Sequence, residues 1–198
     1  MKNIIQFKTS VLQIALIATT LLSASSCKDA QKPEDTKKVA EEHNDAKFNT
    51  AKAEKDAQFL VNAAEMDMEN IKLAQLAQKN SKMTDVKQLG KMMEEVHTKT
   101  LSDLTALAKK KMITLPVSST NDAQAAYTKL STKAGTAFDK EYCDMMVNGH
   151  KDAVAAFEKA STEAFDMDIK QSAIQLLPDL RMHLDQAITC QKKCEKMK

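Results

Sequence analysis

Tryptophan is absent from this sequence of 198 residues, glycine and proline occur three times each, and aromatic residues make up 4%. A β-sandwich or barrel draws on glycine- and proline-rich turns and on aromatic strand residues. With so few of them, all-β architectures are excluded. No Lys/Arg-rich block stands in the part of the chain expected to fold, so nucleic acid is not an expected partner. No nucleophile–base pair and no cofactor-binding motif stands out, and a non-enzymatic role is expected. What is abundant is alanine, leucine, lysine, glutamine and methionine, all good helix formers. The expected class is all-α.

The N-terminus has a layout of its own. "MKNIIQFK" carries Lys2 and Lys8, and "VLQIALIATTLL" is apolar but too short to span a bilayer as a mature helix. "SASSC" then leads through small residues to Cys27. This is the order of a secretory signal. A cysteine at that point resembles a bacterial lipoprotein cleavage box, with Ala24 where leucine is usual. Cleavage between Ser26 and Cys27 would leave the lipid on Cys27. An ordinary signal peptide cut near Ser26 is the alternative. Residues 1–26 take with them two of the 29 basic residues and none of the 27 acidic ones, so the mature chain is neutral overall. Residues 27–52 are charged, hold Pro33 and almost no large apolar side chain, and read as a flexible tether. His43 falls within it and is expected to be solvated.

The domain is expected over 53–198. Apolar residues at helical spacing predict long helices over 53–79, 85–110, 136–160 and from 168 to the C-terminus. Thr84 is the expected N-cap of the second, and Pro178 is expected to kink the fourth. A short extra helix over 123–134 lies in the connection between the second and third. "TDVKQ" at Thr84 and "MDIKQ" at Met167 are 83 residues apart, and at the same offset Asp56 and Phe59 meet Asp139 and Tyr142. Two related hairpins packed as a four-helix bundle are expected.

Three histidines lie on or beside the apolar stripes of three long helices: His97, His150 and His183. The first long helix offers Asp67, which the repeat places opposite His150. Counting outward from the turns puts all four near one level of the bundle. A buried carboxylate needs a partner or a metal, and bundle metal sites are built from such side chains on facing helices. Glu94, one turn before His97, would complete a Glu-x-x-His pair. The candidate set for a transition metal is therefore Asp67, Glu94, His97, His150 and His183. The alternative is a hydrogen-bonded polar layer without metal. The carboxylates of a di-iron site are not all present. Several methionines fall on the stripes and read as core filler, with their soft thioethers as Cu(I) ligands the alternative. Cys143 and Cys190 lie on matching faces and are within reach of a disulfide, with free thiols as the alternative. Cys194 is then left over.

"KKKMITLP", "FDKEYCDMMVNGHKDAVAAFEKAS" and "DIKQSAIQLLPDLRMHLDQA" resemble a bacterial family of ferritin-like domains of unknown function, whose members are labelled outer-membrane or exported proteins. The similarity runs from about Lys55 to Ala187. It implies a ferritin-like four-helix bundle and brings no reaction with it. That family places an aspartate directly before the histidines at 97 and 150, where this chain has Val96 and Gly149, and its first-helix glutamate falls on Asn70. The combined expectation is an exported, lipid-anchored outer-membrane protein, held at the membrane through Cys27. An envelope protein or a second copy of the chain would be its partner. A mid-bundle metal site is the alternative role.

Overall fold

The structure is a computed structural model and describes residues 34–196; Cys27 and the signal and lipidation readings lie outside the described residues. Among the described residues there are six α-helices and no strand. They are α1 (Thr36–Lys47), α2 (Ala51–Asn80), α3 (Thr84–Lys111), α4 (Asn121–Ser131), α5 (Gly135–Glu163) and α6 (Met167–Glu195).

Each boundary has a local cause. The Thr50 hydroxyl accepts from the Ala53 amide at the start of α2, and the Asp166 carboxylate accepts from the Asp168 and Ile169 amides at the start of α6. Such caps hold amides that no helical carbonyl reaches. Thr84 is not the cap of α3: Met83 occupies that position without a side-chain bond, and Thr84 is the first helical residue. At its other end α3 stops on Met112, in the left-handed conformation at φ 58°, with the Ile113 amide bonded back to the Ala108 carbonyl. Helix α6 continues through Pro178. Proline leaves the Ile174 carbonyl without its helical donor, and both residues are exposed.

Helices α2 and α3 form one hairpin, and α5 and α6 the other. Gly90 sets the closeness of the first. A Cβ there would stand 2.9 Å from the Ala74 carbonyl oxygen. The core has two lobes. One holds Leu73, Leu89, Met93, Phe138, Tyr142 and Cys190, and the other Leu60, Leu104, Phe157, Ile169 and Leu177. Fully burying each of the large side chains contributes about 1.5–3 kcal/mol. Chain direction follows from the lobes. The end of α3 lies in the second lobe with Ile113, whereas Leu130 of α4 and Phe138 of α5 lie in the first. The α3–α5 connection therefore travels back along the bundle. One long crossover is a connectivity that ferritin-like folds also use.

Residues 36–47 correct the expected tether. They form α1, docked beside the crossover. Asn44 is buried, donates to the Thr114 carbonyl and accepts from the Thr114 amide. Asp35 caps α1 through one carboxylate oxygen and accepts from the Asn121 amide at the start of α4 through the other. Lys37 pairs with Glu65 of α2. The folded region thus begins well before residue 53. His43 is exposed on α1, in keeping with the sequence reading.

Candidate metal centre

Between the two lobes lies a polar layer with one residue from each long helix: Asp67 of α2, His97 of α3, His150 of α5 and His183 of α6. None is more than 4% exposed. The apolar residues on either side place them. His97 follows Met93 by one turn, and His150 follows Met146 by one turn, so each ring projects from the buried stripe. The three imidazoles form a nearly equilateral triangle, with centroids 5.3, 5.8 and 5.8 Å apart. One ligand nitrogen from each ring lies within 4.8 Å of the others.

The hydrogen bonds fix which nitrogen faces inward on His97 and His150. His150 Nδ1 lies 2.8 Å from the Met146 carbonyl oxygen. A carbonyl only accepts, so Nδ1 carries the proton and Nε2 a lone pair. His97 Nδ1 lies 2.7 Å from Asp67 Oδ1, and its Nε2 lies 3.3 Å from His150 Nε2. His183 Nδ1 is buried without a partner, as is Asp67 Oδ2.

Burial sets the charge state. It pushes the Asp67 carboxyl well above the usual carboxylate range. It lowers His97 to about 4. Burial first, and then the neighbouring imidazoles, take His150 and His183 to about 4 as well. The rings are neutral at physiological pH, the form in which imidazole binds metal. In the metal-free chain the neutral arrangement has Asp67 donating to His97 Nδ1, and His97 Nε2–H donating to His150 Nε2.

Glu94 does not join this layer. Its carboxylate is half-buried on the flank of α3 and accepts from Gln75 and Gln78, at 2.7 and 2.6 Å. The Glu-x-x-His spacing put Glu94 one turn from His97, but three residues rotate a helix by about 300°, and here that carries Glu94 toward α2. The residues therefore do not fit a di-iron centre, which takes several carboxylates at one level.

Cys143 and Cys190 meet, as their positions suggested, with sulfurs 3.1 Å apart, and they are free thiols in the structure. Sequence reasoning left Cys194 without a partner. Its sulfur is 3.5 Å from Cys143 and 3.7 Å from the Met83 thioether. The signal was present: Cys190 and Cys194 are one turn apart on one helix face, so a residue facing the first also faces the second.

The chain belongs to the family described as "Domain of unknown function (DUF4142)", which it matches over residues 40–189. The match begins within α1 and ends within α6, so it takes in the polar layer and the greater part of α1. No curated protein and no solved structure matches the chain.

Proposed function

We propose that this chain is an exported, lipid-anchored envelope protein whose helical bundle holds one transition-metal ion between His97, His150 and His183. The observation that carries the metal reading is the convergence of three buried rings of which one, His183, has no partner for its buried Nδ1. A proton between the facing nitrogens satisfies His97 and His150 and leaves His183 with nothing. A cation satisfies all three.

The distances agree with that occupant. Two nitrogens bound to one tetrahedral ion at about 2.0–2.1 Å stand roughly 3.3 Å apart, and His97 and His150 are separated by 3.3 Å. His183 needs an inward shift of no more than about 1.5 Å, within the reach of a side-chain rotation. Three neutral imidazoles suit zinc and copper better than the hard oxygen-seeking cations. Asp67 behind His97 and the Met146 carbonyl behind His150 hold the rings in orientation. An ionised Asp67 would also offset part of the ion's charge. Binding would expel the shared proton, and no nucleophile–base pair lies in the layer. We therefore take the role to be holding an ion rather than catalysis. The export and anchor parts of the proposal rest on the basic start, the short apolar run and the small residues before Cys27.

One preparation tests both parts. The full chain is expressed in a bacterial host, extracted from membranes, and measured for mature mass and for metal content. The expected result is an acylated N-terminal Cys27 and at least one zinc or copper ion per chain. Added metal at a hundredfold excess over its dissociation constant should stabilise the fold by about 2.7 kcal/mol, several degrees in melting temperature. A chain free of bound metal, with no shift on adding iron, zinc or copper, would overturn the metal site. A soluble chain without acyl mass would overturn the anchor.

A further inference from the structure

A second cluster of ligand atoms lies in the first lobe of the core. His150 follows Cys143 by seven residues and Cys190 follows His183 by seven, two turns or about 10.5 Å along the axis in each case. Three sulfurs meet there: Cys143 of α5 with Cys190 and Cys194 of α6. All three lie within 4.8 Å of one another and all are buried. The Met83 thioether, from the α2–α3 turn, closes the far side against Cys194 at 3.7 Å.

We propose that Cys143, Cys190 and Cys194, together with the Met83 thioether, form a second metal site, one for a soft, thiophilic ion and specifically Cu(I). The claim is independent of the histidine layer. Donor chemistry selects the ion. Thiolates accept both Zn(II) and Cu(I), but a thioether is a soft donor that favours Cu(I). Structural zinc takes four cysteine or histidine ligands, and three cysteines with one methionine do not complete that set. The spacing also fits. Three sulfurs around one ion at about 2.3 Å stand roughly 4 Å apart, and those of Cys143 are 3.1 and 3.5 Å from its two partners. The sulfurs need to open by less than an ångström, with no helix displaced.

Two further features support a ligand. Asp139 Oδ1 and the Tyr142 hydroxyl, on the same face of α5 as Cys143, are buried without partners. The Tyr142 hydroxyl is a donor beside sulfurs that would become charged acceptors on binding a metal. Access is also provided. A groove of about 390 Å³ between α3 and α6 reaches Cys190, with Met92 and Met182 on its walls. Two thioethers along a path to a thiolate are suited to passing a soft ion inward.

The purified, fully reduced chain is loaded with one equivalent of Cu(I) under nitrogen and challenged with a Cu(I)-selective chelator. Copper-edge X-ray absorption reads the ligands without any substitution. The expected result is one retained ion with an all-sulfur first shell. A first shell of nitrogen or oxygen, loss of the ion to the chelator, or retention of Zn(II) in preference to Cu(I) would each overturn the site. So would a Cys143–Cys190 disulfide that forms on isolation and, once reduced, takes up no copper. Cys194→Ser should weaken Cu(I) retention at least tenfold, and Met83→Leu, on the site's rim, severalfold. His183→Ala, by contrast, should leave the sulfur shell intact. That last variant separates failure of this site from failure of the histidine site.

Discussion

Asp67 is the side chain on which the histidine layer depends, and its role differs from that of the three rings. A carboxylate buried to this degree is costly unless something compensates it. Among the described residues its only hydrogen bond is to His97 Nδ1, and its second oxygen has no partner there. On binding a cation the proton would leave and Asp67 would accept from His97 Nδ1–H; a ring nitrogen so bonded to a carboxylate is a stronger base at its far nitrogen, so Asp67 would raise the affinity of His97 Nε2 for the ion. Asp67→Asn keeps an acceptor of the same shape and removes the charge. It should lower affinity for zinc roughly 10–100-fold while leaving the helical content unchanged. Competition titration against a chelator, beside the wild type, measures this. Unchanged affinity would mean that Asp67 only fills space.

At the scale of elements, periodicity carried much of the information. The four long helices come from apolar stripes, and their ends fall within a few residues of the expectation because capping, not hydropathy, decides the last turn. The level shared by Asp67, His97, His150 and His183 was also legible, since helix rise is constant and counting from a turn gives height. Rotation about each axis was harder, and Glu94 shows why: one turn of distance along the helix does not say which neighbour a side chain meets. Helix α1 was hidden for another reason. Hydropathy detects elements that bury apolar surface, whereas α1 is fastened by Asp35, Lys37 and Asn44, which look like solvent residues in a sequence. Asn44→Ala removes two bonds to the Thr114 backbone in a buried place. Leaving those groups unpaired should cost about 1–3 kcal/mol and loosen the crossover over 112–120. Denaturant unfolding gives the energy, and limited proteolysis should show earlier cleavage there. A variant as stable and as resistant as the wild type would mean that the Asn44 anchor contributes nothing to the fold.

For the whole molecule, the polar layer interrupts what would otherwise be one continuous apolar core. A bundle selected for stability alone has no need of three imidazoles and a carboxylate at its middle. Buried polar groups of this kind are often replaced by apolar residues at no loss, or with a gain. If the layer is there to hold an ion, stability without metal should not depend on it. The combined variant Asp67→Leu, His97→Leu, His150→Leu, His183→Leu tests this directly. It joins the lobe containing Leu73 and Met93 to the lobe containing Leu60 and Leu104. In the presence of a chelator it should unfold at the same denaturant concentration as the wild type or a higher one, and it should show no thermal shift with zinc. A loss of several kcal/mol in the chelated state, relative to chelated wild type, would instead make the layer a structural hydrogen-bond network. Because both proteins are compared without metal, the result separates what the layer contributes to folding from what it contributes to binding.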